Sequence, residues 1–390
     1  MYDFDTVIDR RGTDSLKWNM EPDVLPMWVA DMDFPTAPEI REALAGRVSH
    51  GVFGYTELSG EWYDAYTGWW KKRHGFEIEK DWLIFSTGVI PTLSSCVRRL
   101  TAPNENVVIL TPVYNIFFNS ILNNGARVLQ CPLIANPDSI DEKCDRYVIN
   151  WDLLEQYMKD PQTTLMIFCN PHNPTGTVWD RDTLSRIGEL AKENHVTVIS
   201  DEIHCDLTDP GTEYIPFAAA SPVCRDVSIT CIAPTKAFNI AGLLTSAAVV
   251  PDPDLRHKVW RALNTDECGE PGAFAVTAAV TAFTKGGPWL DELRQYLSGN
   301  KSFARSCLYK ALPEIRIASG EATYLLWLDL RAYGKDSEEL QEKILKEGKL
   351  YLSSGEIYGD AGEGFLRLNA ACPRSVLEEG LKRLTGVLAV

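Results

Sequence analysis

Three short stretches decide how this chain folds: Asn170-Pro171-His172-Asn173-Pro174-Thr175-Gly176, Ser200-Asp201-Glu202-Ile203-His204 and Ala233-Pro234-Thr235-Lys236-Ala237-Phe238-Asn239. Each follows or closes a short apolar run, at 165–169, 196–200 and 227–232. Continuous rather than alternating apolar strands, separated by helix-like segments, describe a mainly parallel α/β sheet covered by helices on both faces. Ligand sites in such sheets lie beyond the C-terminal ends of the strands. An amide, a carboxylate and an amine are therefore expected together at one edge of one sheet.

Working outward, the pattern predicts strands at 82–86, 107–110, 128–131 and 247–250, and helices at 58–73, 91–100, 116–122 and 177–194. Beyond 271 the character changes: 271–310 is helix-rich, and strands at 323–330 and 364–369 alternate with helices at 337–347 and 374–388. Residues 1–45, crossed by Pro22, Pro26, Pro35 and Pro38, read as an extended arm with little regular structure. Trp18, Met27, Trp28, Val29, Met32 and Phe34 make that arm too apolar to be left in water, so it should pack on the body or on a second subunit. The expected organisation is an arm (1–45) joining a small C-terminal α+β domain (281–390), with a large domain (46–280) between them in the chain. A cleft between two domains is the default place for a ligand.

The chain's 390 residues, 45% of them apolar, are enough to bury a large core. Its 54 acidic and 38 basic residues give a formal charge of −16, which disfavours nucleic acid and anionic membrane as partners. Ten cysteines are scattered without a C-x-x-C pair, and Cys169 and Cys231 lie in strand-like runs, as reduced core thiols do. Asp3, Asp5, Asp9, Arg10 and Arg11 leave no apolar leader at the N-terminus, and no transmembrane run follows. A reducing, cytoplasmic location is expected.

The amine decides the chemistry. A lysine directly after an apolar strand is partly desolvated, which lowers its pKa and frees a nucleophile for a Schiff base with an aldehyde cofactor. Read singly, Lys236 is equally a loop lysine and Asp201 a helix N-cap. Read together, Asp201 needs a cation if buried, and a protonated pyridine nitrogen supplies one. The ring then becomes an electron sink for a carbanion at a substrate α-carbon. Asn173 sits in a turn of restricted shape, able to aim an amide at a ring oxygen or simply to stiffen the loop. Tyr114 follows another strand and is either a ring to lie over the cofactor or a core aromatic. The stretch 86–91 links a strand to a helix N-terminus and makes a phosphate cradle. Arg367 is a cation inside an apolar segment, suited to a carboxylate or to a structural ion pair. His204, three residues after Asp201, is in reach of it or of the cofactor. Asp31 and Asp33 read as arm-positioning carboxylates rather than a metal pair. No Walker A, no complete G-x-G-x-x-G, no H-E-x-x-H and no zinc spacing occurs, so neither a nucleotide nor a metal is expected.

At this point the chain resembles pyridoxal-phosphate enzymes of the aspartate-aminotransferase-like fold (fold type I), whose sheet has seven strands. More narrowly it resembles the MalY/PatB class of cystathionine β-lyases. The resemblance rests on Arg11-Gly12-Thr13-Asp14-Ser15-Leu16-Lys17-Trp18, Leu25-Pro26-Met27-Trp28-Val29-Ala30-Asp31-Met32-Asp33-Phe34, Phe53-Gly54-Tyr55-Thr56, the Asp201 and Lys236 segments, Tyr324-Leu325-Leu326-Trp327-Leu328-Asp329 and Phe365-Leu366-Arg367-Leu368-Asn369. It implies that Lys236 holds pyridoxal 5'-phosphate covalently, Asp201 pairs with the ring nitrogen, Asn173 contacts the ring hydroxyl and Tyr114 stacks on the ring. It also implies that Val89, Ile90 and Thr235 serve the phosphate and that Arg367 grips the substrate α-carboxylate. Trp28 and Val29 would line the substrate entrance. Tyr55, counted with Lys236 and Asp201 as catalytic, would reach the phosphate of a neighbouring subunit, making the unit a homodimer with composite sites. His204 stands where many aminotransferases have a hydroxyl-binding tyrosine, a change shared with the lyase class, and is taken as cofactor-binding. Leu244 stands where many have a phosphate-binding arginine, leaving the phosphate charge to Thr235, helix amides and Tyr55. The implied activity is β-elimination from a sulfur-containing L-amino acid, with L-cystathionine giving homocysteine, pyruvate and ammonia, a step in methionine biosynthesis. The alternative is an aminotransferase acting on an L-amino acid and a 2-oxo acid, which uses the same lysine and aspartate.

Overall fold

The computed structural model describes residues 2–136, 144–318, 320–334 and 336–389. Its main sheet has seven strands, in the spatial order Leu83–Ser86, Ser246–Val249, Ser228–Ile232, Thr197–Asp201, Thr163–Cys169, Asn106–Thr111 and Arg127–Pro132. All run parallel except Ser246–Val249, which is antiparallel to both neighbours. The continuous apolar runs have a direct consequence here. Val108, Leu110, Met166, Phe168 and Val198 enter one core, while Val107, Ile109, Leu165, Ile167 and Ile199 enter another across the sheet. Successive strand side chains point to opposite faces, so only a strand apolar at every position fills both cores.

A six-stranded second sheet runs Ser353–Ser354, Phe365–Asn369, Leu325–Asp329, Arg316–Ala318, Cys144–Val148 and Ile134–Asn136. Ser353–Ser354 and the last three strands had no counterpart in the sequence reading, and two of these four come from within 46–280. Cys144–Val148 alternates buried and exposed positions over only five residues, too short and too polar to stand out as a run.

The N-terminal arm differs from expectation at its end, where Pro38–His50 is a helix. Pro38 occupies the first turn, where a missing N–H costs nothing and the fixed φ favours helix, so this proline starts a helix rather than prolonging an extended segment. The rest of the arm is tied down. Leu25–Pro26 pairs parallel with Leu350–Tyr351, Asn369 Nδ2 donates to the carbonyls of Val29 and Asp31 at 2.6 Å each, and Asn239 Nδ2 donates to those of Met32 and Phe34 at 2.9 and 2.8 Å. Asp33 is buried and accepts from Arg10, Lys17 and the Trp18 indole at 2.7, 2.7 and 2.8 Å, while Asp31 binds Arg10 at 2.6 Å. The two aspartates thus shape the arm, as their setting in the sequence suggested.

All ten cysteines are free and eight are buried. Among the described residues no helix is long and apolar enough to cross a membrane.

Removing one member of a buried charge cluster weakens the hold on the rest: without Asp33, Lys17 Nζ keeps only the 3.6 Å contact with Asp31. Asp33→Ala leaves the fully buried Lys17 ammonium without its 2.7 Å partner, and should lower unfolding free energy by about 3 kcal/mol in urea titration. A loss under about 1 kcal/mol would mean that the arm is not held by this cluster.

Candidate active site

The three motifs emerge at one level of the main sheet. Asp201 is paired in register with Cys169 on one side and Cys231 on the other. The Asn170 N–H donates to the Asp201 carbonyl at 2.9 Å, and the Glu202 N–H donates to that of Cys231 at 2.9 Å. The Asn173 turn, Asp201 and the Lys236 loop are therefore the continuations of three adjacent parallel strands. The Asn173 turn is held by His172, whose ring bonds Thr175 Oγ1 at 2.9 Å and the Leu110 carbonyl at 3.2 Å. Gly176 is required there: its φ is +70°, and a Cβ would lie 2.6 Å from Gly320 Cα.

Lys236 is half-buried, and its Nζ donates to the Ala30 carbonyl of the arm at 2.6 Å. Burial, and secondarily the Arg367 charge, bring its pKa down to about 8, against the opposing pull of Asp31 and Asp201. Asp201 is buried, and its carboxylate accepts one bond, from the Ile203 N–H at 3.1 Å. Burial pushes it up to about 6, the Ile203 bond and Lys236 opposing. His204 is buried beside Tyr324 with its Nδ1 lacking a hydrogen-bond partner, and desolvation with the Lys236 and Arg367 charges lowers its pKa to about 3, so the ring is neutral. Arg367 is buried, lies 5.1 Å above the Tyr358 ring, and donates to Asn173 Oδ1 at 3.2 Å and to the Trp28 carbonyl at 2.8 Å, with Nε unpartnered. Tyr114 is half-buried and electrostatically coupled to Arg367 and Asp201.

The strand Leu83–Ser86 ends on the same side of the sheet, and helix Val89–Leu100 starts there behind Gly88 with no side-chain cap. The Val89 and Ile90 amides thus sit at a positive helix terminus without a side chain to neutralise it. Thr235 is buried next to Lys236 in sequence. Trp28 and Val29 lie in the arm segment that covers Lys236, the Trp28 ring against Tyr351 at 5.4 Å. Tyr55 is not part of this cluster: it is fully exposed, in a loop that also exposes Val52 and Phe53. Leu244 is exposed as well, with a left-handed backbone.

Several contributors carried no sequence signal of their own. Ala30 acts through its carbonyl, and Asn239 and Asn369 act on arm carbonyls far away in the chain. Glu202, raised to about 7 by burial, gathers Tyr214, Ser200, Asn170 and the Phe217 N–H beneath the site. A cavity of about 910 Å³ lies elsewhere and is not lined by Lys236. It meets Cys205 and Asp206, where His74, Cys205 and Asp206 cluster. Asp206 already accepts from Trp69 and His74 and pairs with Arg73, and burial keeps the Cys205 thiol protonated, so the Asp206 carboxylate is already committed to protein partners.

Residues 22–384 match the family described as aminotransferase class I and II. The chain belongs to that family, and within it to the group that holds PatB and MalY. It is 44% identical to cystathionine beta-lyase PatB of Bacillus subtilis strain 168, over 99% of this chain and all of the relative, and 35% identical to protein MalY of Escherichia coli K12, over 100% and 99%. Among solved structures it superposes on cystalysin from Treponema denticola, which contains a pyridoxal 5'-phosphate cofactor, with a TM-score of 0.94 at 34% identity over 100% of this chain and 99% of the other.

The residues present fit that cofactor. A buried carboxylate with one backbone donor suits a cationic ring N–H, an uncapped helix N-terminus suits a phosphate, a depressed lysine suits an aldehyde, and the orphan His204 Nδ1 lies among them. The Asp201 shift is testable without cofactor. Its folded pKa lies above the unfolded value, so the folded state binds the proton more tightly and loses stability as pH rises from about 4 to about 6. In the cofactor-free protein, Asp201→Asn should be more stable than wild type at pH 7 by about 3 kcal/mol, with the gain vanishing below pH 4. Parallel stability curves from pH 4 to 7 would contradict the assignment.

Proposed function

We propose that this protein is a pyridoxal-phosphate-dependent carbon–sulfur β-lyase that cleaves L-cystathionine, with water, to homocysteine, pyruvate and ammonia. The observation that carries the reading is the convergence of the Lys236 amine, the Asp201 carboxylate and the Asn173 amide at the ends of adjacent strands, with Arg367 of the second sheet bonded to Asn173. Lyase names among full-length relatives favour elimination over amino transfer.

Pyridoxal phosphate, when bound, supplies an aldehyde for an amine and a ring that accepts electron density from the substrate α-carbon. Asp201, costly to ionise when alone, becomes a carboxylate against the ring N–H and holds that proton on the nitrogen. Arg367 presents a planar fork to the substrate α-carboxylate; Asn173 Oδ1 fixes one arm of the fork and leaves the Asn173 NH2 for the ring hydroxyl. Lys236, with a pKa near 8, is about a tenth unprotonated at pH 7, against a far smaller share for an ordinary lysine, so Nζ can take the α-proton as a general base. The Ala30 carbonyl, 2.6 Å away, receives the resulting ammonium. The backbone amides of Val89 and Ile90 hold the phosphate with Thr235. Trp28, Val29 and the arm shield the amine from water.

The exposed loop bearing Val52, Phe53 and Tyr55 supports a homodimer in which Tyr55 of each copy completes the other's phosphate site. A soluble cytoplasmic enzyme supplying homocysteine for methionine synthesis accords with the reducing state of its cysteines.

Incubation with L-cystathionine and no oxo acid should release pyruvate and thiol in equal amounts over many turnovers, and Arg367→Lys should raise KM at least tenfold. Oxo-acid-dependent amino exchange without thiol release would make the protein an aminotransferase instead. Sedimentation should give twice the chain mass of 43.6 kDa; a fully active monomer would remove Tyr55 from the site.

A further inference from the structure

Two donors share one acceptor at the centre of the site. The Ala30 carbonyl receives Lys236 Nζ at 2.6 Å and the Tyr324 hydroxyl at 2.9 Å. Tyr324 is fully buried just before the strand Leu325–Asp329, so its hydroxyl has no water to turn to. Burial also raises its pKa, with Asp31 adding to the rise and Arg367 opposing, so the phenol stays a proton donor throughout the working range. A phenolate there would take the lysine's proton; a phenol cannot. The carbonyl itself is immobile, because Asn369 Nδ2 grips its neighbours on both sides, at the Val29 and Asp31 carbonyls.

A carbonyl oxygen that already accepts a hydrogen bond is a weaker acceptor for the next donor. Its bond to an ammonium is stronger than its bond to a neutral amine, so weakening it penalises the charged form of Lys236 more. We propose that Tyr324 is a positioning residue for the lyase reaction, holding the Ala30 carbonyl in place and reducing its hold on Lys236, so that the amine is both aimed and kept basic at neutral pH. Asn239 and Asn369 fix where the acceptor lies; Tyr324 sets how strongly it pulls. The charged groups that also face Lys236 are Arg367, Asp31 and Asp201, and the neutral His204 ring lies against Tyr324 with centroids 6.1 Å apart. All of these are untouched by loss of one hydroxyl.

The role in turnover rests on the lyase reading, but the tuning of Lys236 does not, and the test separates them. Full-length protein freed of cofactor is labelled with acetic anhydride across pH 6 to 11, and acetylation of the Lys236 peptide is followed by mass spectrometry. Wild type should show a midpoint near pH 8. Tyr324→Phe should move it up by at least half a pH unit, roughly threefold less free amine at neutrality. It should also shift the acid limb of the kcat profile of the loaded enzyme upward, with KM within about twofold. Incorporation of 3,5-difluorotyrosine at 324, a stronger donor of nearly equal size, should move the midpoint down and guards against a misfolded Phe variant. A midpoint unchanged in either folded variant overturns the proposal, whatever the substrate proves to be.

Discussion

The lateral register of three parallel strands is the constraint on which the site depends. Cys169, Asp201 and Cys231 are hydrogen-bonded neighbours, so the segments that follow them leave the sheet side by side. Parallel strands all exit in the same direction, and their turns are short. Chemistry drawn from residues 173, 201 and 236, dispersed in sequence, is thereby gathered without any long-range pairing of the side chains themselves. The two cores on either face keep the register, because a slip of one residue would exchange Val108 and Leu110 with Val107 and Ile109 between cores.

Burial then does opposite things to the two charged groups at that edge. It lowers Lys236 and raises Asp201, bringing an amine near 8 and a carboxyl near 6 within range of neutral pH. Neither group is relieved by a full ion pair. The arm contributes the other half of the arrangement: its Trp28 and Ala30 carbonyls occupy Arg367 and Lys236. These contacts are made by backbone atoms, so the arm must be positioned accurately. The Asp33 cluster and the asparagines at 239 and 369 provide that accuracy.

The main sheet was legible in the sequence because its strands are apolar at every position, and helices Ile116–Leu122 and Arg374–Leu388 begin and end where periodicity puts them. Lys236, Asp201 and Asn173 were legible because a charged or polar residue at a strand exit stands out against the run before it, and Arg367 because it is a cation inside the apolar strand Phe365–Asn369. Strands Ile134–Asn136, Cys144–Val148 and Arg316–Ala318 were not, being short and partly exposed, and helix Pro38–His50 was hidden by prolines of which one marks its start. Ala30 is invisible to any reading by residue type, since it works through a carbonyl that every residue possesses. Asn239 and Asn369 likewise act on backbone more than 200 residues away. Tyr55 stands apart from the site of its own chain, fully exposed.

As the proposed covalent anchor of an aldehyde cofactor, the Lys236 amine is open to chemical trapping. Protein loaded with pyridoxal phosphate, reduced with borohydride and digested, should carry a single phosphopyridoxyl group per chain, on the peptide containing Lys236, and none after Lys236→Ala. An unmodified Lys236 peptide, or a label found on another lysine, would contradict it.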